Sequence, residues 1–229
     1  MREIENFEEW NEQMSRKFNI DTYREKSHWF IRWVERMRDR VILRYLNVGD
    51  RDSVIDLGCG AGHLLSKIGC GHLTGVDLSE FSLELARRRL GNRAELIKGD
   101  VGALLVSLNG RRFDKIVCSE VIEHVLSPDK VIEQIVRIAT PTSVIVISVP
   151  YEKLIDFLKG MFIRLGIFQH LFPNIPESNT EEWHLWAFDR ALFEELIAGR
   201  LVVTKTRRIP FALLPLRYVF VCKVVPSGR

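Results

Sequence analysis

The chain has few cysteines, little net charge and no long apolar run. Its 4 cysteines form no C-x-x-C pair, a pattern typical of reduced, cytosolic thiols. A formal net charge of +3 is too small to predict a nucleic-acid partner by itself. No window of about 18 residues is both apolar and uncharged, and the first residues lack the apolar run of a secretion signal. We therefore expect a cytoplasmic protein.

The rest of the composition suits one soluble domain, because 229 residues with 46% apolar and 28% charged side chains can form a full core. Residues 1–50 show helical periodicity, and after them strand and helix patterns alternate, which predicts an α/β fold with a parallel sheet. The predicted strands are 53–57, 73–77, 94–98, 114–118, 143–149, 201–209 and 217–225, and the predicted helices are 62–68, 80–90, 128–138 and 190–197.

The first predicted strand runs into a turn with glycines at alternate positions, Gly58, Gly60 and Gly62. Glycine lets the backbone approach a ligand closely and adopt φ values that other residues avoid. A helix after the turn would direct free N–H groups at an anionic group. A dinucleotide-binding G-x-G-x-x-G would place its third glycine at position 63, where the chain has His63. The turn therefore predicts a nucleotide-like ligand but disfavours hydride transfer.

Three further strand ends carry polar residues. Asp77 ends the second strand, Asp100 follows the third, and Ser119 and Glu120 follow the fourth. In an α/β sheet, ligands bind at the carboxyl ends of the strands, so we expect these side chains to line one crevice. The acid at the second strand suits the two hydroxyls of a ribose, and the acid at the third suits an adenine amino group.

The order D-x-G-x-G-x-G, G-x-D, G-D and F-D-x-I-x-x-x-E resembles the motif series of class I S-adenosylmethionine-dependent methyltransferases, of the type 11 and ubiquinone-type O-methyltransferase kind. The resemblance implies a Rossmann-like, seven-stranded, mostly parallel sheet with helices on both faces, and an antiparallel last strand. It divides the chain into an N-terminal helical cap (1–50), a cofactor-binding core (51–150), a helical lid insert (151–189) and a closing helix with two strands (190–229).

The cofactor implied by the resemblance is S-adenosylmethionine, with S-adenosylhomocysteine as product. Asp56 is expected to orient the glycine turn or to meet the amino group of the methionine part, which Gly58, Gly60 and Gly62 admit. Asp77 is expected to bind the ribose. The alternatives are structural: a tight turn without ligand, and for Asp77 an acid favoured by a helix N-terminus.

The resemblance also assigns residues to the adenine. Leu78 is expected to lie against the ring, Asp100 to accept from the exocyclic amine, and the backbone N–H of Val101 to reach a ring nitrogen. The alternative for Asp100 is a turn aspartate. Ser119 completes the predicted cofactor site.

Glu120, Glu123 and His124 form an E-x-x-E-H segment beyond the cofactor, and His184 is a second histidine further along the chain. Two carboxylates and an imidazole on one cleft suit a general base or a divalent metal. The ubiquinone-type enzymes carry this segment, and small-RNA 2′-O-methyltransferases use two glutamates and two histidines to hold a metal. We favour base and pocket-lining roles over a metal, and His184 alone fits a loop histidine that closes the pocket.

The segment 151–176 is long and apolar, with basic residues that prevent it from spanning a bilayer. Two interpretations remain open: a lid over the substrate, or an interfacial segment in peripheral contact with a membrane. Either favours an apolar acceptor. We therefore predict methyl transfer to oxygen, ahead of nitrogen, of an apolar or lipid-like small molecule, and no nucleic-acid partner. The alternatives are a metal-assisted RNA 2′-O-methyltransferase and a non-catalytic, cofactor-binding partner subunit.

Overall fold

The structure, a computed structural model, describes residues 4–19, 21, 27–104, 108–171 and 183–225. Its strands are β1 Ser53–Leu57, β2 His72–Asp77, β3 Ala94–Lys98, β4 Phe113–Ser119, β5 Ala139–Pro150, β6 Leu201–Pro210 and β7 Pro215–Val224. Its helices are α1 Phe7–Lys17, α2 Trp29–Leu46, α3 Glu80–Leu90, α4 Pro128–Ile138, α5 Glu152–Arg164, α6 Phe168–Leu171 and α7 Arg190–Ile197.

The seven strands form one sheet in the order β3-β2-β1-β4-β5-β7-β6. Strands β1 to β5 pair in parallel, whereas β7 pairs antiparallel with both β5 and β6. The central strands β1 and β4 are buried over most of their length because both faces of the sheet are covered, as in other parallel sheets. The predicted α/β, Rossmann-like fold is confirmed, including the antiparallel last strand.

Helices cover both faces of this sheet. The face toward α4 and α7 packs on alternate strand residues such as Ile55 and Ile116, and the opposite face toward α2 and α3 packs on residues such as Val54 and Val117. Within the described residues, no helix is both long enough and apolar enough to cross a membrane. Helix α2 packs directly against the sheet, whereas α1 lies outside this layer.

The prediction of a helix over residues 62–68 is wrong. Only Leu65–Lys67 forms a single 3₁₀ turn. Gly62 has φ +74°, which an α-helix does not allow, and Ile68 is already extended with ψ 118°. Too few residues remain between these two positions for an α-helix to form.

Candidate active site

A cavity of about 260 Å³ opens at the carboxyl ends of β1, β2 and β4. It brings together eight of the nine residues predicted to contact a cofactor: Asp56, Gly58, Gly60, Asp77, Leu78, Asp100, Val101 and Ser119. It also contains Glu120 and His124 from the E-x-x-E-H segment. The crevice expected from the strand ends is therefore present.

The glycine turn approaches the cavity with its backbone. The N–H groups of Gly58 and Cys59 both donate to the Val76 carbonyl, at 2.8 and 2.9 Å, and this fixes the turn against β2. Gly60 has φ +51°, and a Cβ placed there would meet no atom within 4 Å, so this position faces open space. A ligand can therefore lie directly against the backbone at this point.

Gly62 has a different role from the one predicted, because it does not line the cavity. A Cβ at this position would lie 2.8 Å from Leu90 Cδ1 and 3.3 Å from Ala86 Cβ. The glycine is needed for close packing against α3 and for its positive φ.

Asp77 is held in place by backbone donors. Its two carboxylate oxygens accept from Gly60 N at 2.8 Å and from Ser79 N at 2.9 Å. Burial nevertheless raises the pKa of Asp77, and these hydrogen bonds only partly oppose the rise. Asp100 lies at the exposed rim, where its carboxylate accepts from Gly102 N at 2.7 Å. Both acids are thus oriented before any ligand arrives.

Asp56 is a buried acid beside a buried cation. Burial, reinforced by the nearby Asp77 and Asp39 carboxylates, raises the pKa of Asp56 to about 8, and Arg38 partly opposes this. Arg38 Nη2 lies 2.8 Å from Glu35 Oε2 and 3.1 Å from Asp39 Oδ1. Its Nε is buried without a hydrogen-bond partner among the described residues.

Sequence reasoning missed Arg38, which lines the cavity from α2. A signal was present, since Arg38 falls four residues from both Val34 and Ile42 on the buried stripe of the helix. A charged residue on such a stripe needs partners, and here they are Glu35 and Asp39.

Helix α1 covers the cavity. Phe7, Asn11, Ser15 and Phe18 all contribute to its lining. The helix is anchored by Glu12, whose Oε2 accepts from Ser79 Oγ at 2.7 Å, directly beside Asp77 in the chain. Burial alone would raise the pKa of Glu12, but hydrogen bonds from Ser79, Phe81 and Arg16 outweigh burial and lower it.

Glu120 is an anchored acid rather than a free one. It has φ +57°, its Oε2 accepts from Arg217 Nη1, and Arg38 Nη1 lies 3.8 Å from the same oxygen. Ser148 Oγ donates to its Oε1 at 3.0 Å and also bonds Ser119 Oγ at 2.9 Å. This carboxylate is therefore suited to positioning more than to taking a proton.

Glu123 lies beneath the cavity lining rather than in it. Its side chain is fully buried, and neither carboxylate oxygen has a hydrogen-bond partner within the described part of the chain. Burial, together with the charge of Glu120, raises the pKa of Glu123 well above its ordinary value.

His124 lines the cavity with a defined ring orientation. Its Nδ1 lies 3.1 Å from the Trp183 carbonyl, which can only accept, so Nδ1 carries the proton and Nε2 keeps its lone pair. Nε2 lies 3.9 Å from Glu123 Oε1. Burial, with a smaller effect from His184, lowers the pKa of His124 to about 3, so the ring is neutral at physiological pH.

His184 stands behind His124 rather than in the cavity lining. The two rings meet edge to face with centroids 4.7 Å apart, and His184 Nδ1 lies 2.5 Å from Glu152 Oε1. Trp183, which sequence reasoning did not select, does line the cavity and stacks on Phe18 with centroids 5.2 Å apart. Among the residues that the structure describes, no group of three or more His, Cys, Asp or Glu is arranged to hold a metal ion.

Residues 151–171 of the insert contribute nothing to the cavity lining, whereas Trp183, in the second described part of the insert, does. Helix α5 and the residue that follows it expose apolar side chains to solvent instead, with Phe157 67% and Leu165 63% exposed. Cover over the cavity comes from α1 and Trp183. The predicted segment 172–176 lies outside the described residues.

The lining fits an S-adenosylmethionine-type ligand in three respects. Gly60 leaves open space at the backbone, Asp77 presents a fixed carboxylate at the end of β2, and Arg38 has an unsatisfied N–H buried beside Asp56. Asp100 and Val101 at the rim complete the arrangement.

Comparison with known proteins points the same way. A family model described as a methyltransferase domain matches residues 49–190. The ubiquinone biosynthesis O-methyltransferase of Nitrosomonas europaea is 36% identical over 91 residues, which is 38% of this chain and 38% of that protein. The chain thus matches well under half the length of this curated relative.

Solved structures share the fold at low identity. Magnesium protoporphyrin IX methyltransferase from Synechocystis PCC 6803, solved with bound S-adenosylmethionine, gives a TM-score of 0.68 at 13% identity and covers 98% of this chain and 100% of that one. N-methyltransferase NodS from Bradyrhizobium japonicum WM9, in complex with S-adenosylhomocysteine, gives 0.66 at 17% identity, with 95% and 99% covered. The family match, over more than half of the chain, establishes that this protein belongs to the class I S-adenosylmethionine-dependent methyltransferases.

Proposed function

We propose that this methyltransferase moves the methyl group of S-adenosylmethionine to a hydroxyl oxygen of an apolar, lipid-like small molecule. The observation that carries the proposal is a neutral His124, with a free Nε2 lone pair, in a cavity whose lining also includes Phe7, Phe18, Val121 and Trp183. The similarity to ubiquinone biosynthesis O-methyltransferases supports the choice of oxygen.

The cofactor end would use the residues fixed by the strand ends. Asp77 would accept both ribose hydroxyls, and Leu78, Asp100 and Val101 would hold the adenine. The glycine turn would face the methionine part. Arg38 Nε, buried and without a hydrogen-bond partner among the described residues, suits the carboxylate of that part, and Asp56 suits its amino group.

S-adenosylmethionine supplies a methyl group on a positively charged sulfur, from which transfer is a direct displacement. The protein therefore acts chiefly by alignment, which can lower a barrier by roughly 7 to 11 kcal/mol. A hydroxyl acceptor also has a proton to lose. His124 Nε2, the ring nitrogen that keeps its lone pair, would take that proton.

The insert supports peripheral membrane contact as the second part of the proposal. Helix α5 leaves Phe157 and Met161 exposed without covering the cavity, and Lys153 and Lys159 lie on the same helix. Exposed apolar side chains among basic ones are typical of a segment that lies in a membrane interface. An apolar acceptor would reach the enzyme from that phase.

A panel of acceptors tests the proposed reaction. Purified enzyme with S-adenosylmethionine is offered a long-chain phenol, a matched long-chain aniline and an RNA oligonucleotide with free 2′-hydroxyls, and S-adenosylhomocysteine formation is measured with and without a chelator. We expect turnover of the phenol, unaffected by chelation. Turnover of the RNA alone, abolished by the chelator, would establish the metal-assisted alternative and contradict the proposal.

A further inference from the structure

A basic stripe runs along the solvent side of α2. Arg36, Arg40 and Arg44 follow one another at intervals of four residues, and all three are exposed. The two acidic residues of the same helix, Glu35 and Asp39, are only 4% and 2% exposed. The exposed charged side chains of this helix are therefore all cationic.

Strand β6 extends the same surface at the edge of the sheet. Lys205 lies over the ring of Tyr45 on α2, with Nζ 5.9 Å from the ring centroid, and Arg207 is exposed on the same strand. The strand contains no acidic residue. Within the described part of the chain, none of these five cations forms an ion pair with a carboxylate.

An apolar tip adjoins the stripe where the hairpin between β6 and β7 turns. Trp29, Phe30, Trp33 and Phe211 form a row of ring contacts with successive centroid distances of 5.9, 5.7 and 6.0 Å. Trp29 is 64% exposed, and Leu213 at the hairpin tip is 93% exposed. Exposure of such apolar side chains to water is unfavourable, and their burial in another apolar phase would be favourable.

We infer that this face, defined by Arg36, Arg40, Arg44, Lys205 and Arg207 with the hairpin tip 211–214, binds an anionic phospholipid bilayer. The cations meet the headgroups, and the hairpin tip enters the boundary with the acyl chains, as amphipathic membrane-surface elements do. Single-stranded RNA is recognised by stacking on aromatic rings, which gives no use to an aliphatic side chain as exposed as Leu213. The face is separate from the cavity and from methyl transfer.

Vesicle sedimentation of the full chain tests this inference. The vesicles contain phosphatidylcholine with or without phosphatidylserine. We expect binding only to the anionic vesicles at low salt. Because each basic residue at such a surface contributes about five-fold, Arg36→Gln with Arg40→Gln should weaken binding about 25-fold. The matched control is Lys130→Gln with Arg137→Gln, two exposed cations of α4 on the opposite face of the sheet, and it should bind like wild type.

Two more variants separate the parts of the surface. Leu213→Ser with Leu214→Ser should weaken binding in a way that added salt does not reproduce, since the loss is apolar. Phe157→Ser on α5 should leave the salt dependence of wild type intact. Circular dichroism confirms folding of each variant, and turnover of a soluble acceptor should stay at the wild-type level in all of them.

Three results would overturn the inference: no binding of wild type to anionic vesicles, equal loss in the two charge-neutralised pairs, or tighter binding to unstructured RNA than to vesicles. Failure of this test leaves the methyl-transfer assay unaffected, so the two proposals can fail separately.

Discussion

The two ends of the cavity are built in different ways. At the cofactor end, backbone N–H groups hold the polar side chains, as Gly60 and Ser79 hold Asp77. At the acceptor end, Glu123 is buried with no hydrogen-bond partner among the described residues, and burial keeps His124 neutral while the Trp183 carbonyl orients its ring. The first end is organised for binding in one geometry, and the second keeps groups whose protonation state can change.

Removing the imidazole of His124 should give the largest difference between the acceptor end and the cofactor end. We expect His124→Ala to lower turnover of a hydroxyl acceptor by roughly 10² to 10⁴-fold, the usual contribution of a general base. Affinity for S-adenosylhomocysteine should not change, because the ring lies at the acceptor end. Steady-state kinetics and calorimetry measure the two quantities on one preparation. Turnover at the wild-type level would remove His124 from the reaction.

A second variant breaks the buried charge network between the ends. Arg38→Met removes the buried cation that Glu35 and Asp39 share, although Arg217 still pairs with Glu35 and Lys67 with Asp39. The free energy of unfolding should therefore fall by about 1 to 3 kcal/mol. Denaturant unfolding measures the loss. Arg40→Met, on the exposed side of the same helix, is the matched control and should be nearly neutral. Equal effects of the two changes would contradict the network.

At the cofactor end, Asp77→Ala should weaken S-adenosylhomocysteine binding by about 1.5 to 3 kcal/mol, the scale of hydrogen bonds to a charged group. Calorimetry at one pH measures the change. Glu84→Ala, an exposed acid on the following helix, serves as control. An unaltered affinity in Asp77→Ala would mean that the ribose binds elsewhere.

The pH dependence of stability isolates Asp56. Its pKa is about 8 in the fold, above the ordinary value of 3.8, so between these values the folded state holds a proton that the unfolded state has lost. Stability therefore falls as pH rises through this range, by up to about 1.4 kcal/mol per pH unit.

The comparison with Asp56→Asn between pH 6.5 and 8 isolates this acid, because His124, whose pKa is about 3 in the fold and about 6.5 in the unfolded chain, contributes equally to both proteins. Wild type should lose about 2 kcal/mol of stability relative to Asp56→Asn across this window. Parallel curves for the two proteins would show that Asp56 ionises in the folded state at lower pH.

The smallest expected effect concerns the helix that covers the cavity. Glu12→Gln weakens the contact of α1 with Ser79, so S-adenosylhomocysteine should dissociate about five-fold faster, equivalent to a net hydrogen bond of about 1 kcal/mol. Stopped-flow displacement measures the rate. Glu9→Gln, exposed on the same helix, should dissociate like wild type, and identical rates in both variants would show that α1 does not retain the ligand.

The cofactor end was largely predictable from sequence because its residues follow strands in short motifs. Strand periodicity places Asp56, Asp77 and Asp100 at one sheet edge without further information. The acceptor end depends on contacts between residues far apart in the chain, such as His124 with Trp183 and Glu120 with Arg217. The spacing of residues within a motif does not predict such long-range contacts.

The same reasoning explains the residues that were placed wrongly or missed. Gly62 has the spacing of a ligand-facing glycine, but its neighbour is Leu90, which only the packing of α3 reveals. Arg38 resembles its exposed neighbours Arg36 and Arg40 in type, and its helical phase alone distinguishes it. For the insert, the sequence leaves a lid and an interfacial segment open, and the structure adds that Trp183 and α1 line the cavity whereas residues 151–171 do not.

The most direct test of the division between the two ends is a crystal structure with S-adenosylhomocysteine bound. The account predicts both ribose hydroxyls on the Asp77 carboxylate, the methionine carboxylate at Arg38, and the sulfur directed toward His124. A bound ligand with its ribose away from Asp77, or with its sulfur facing away from His124, would contradict the account.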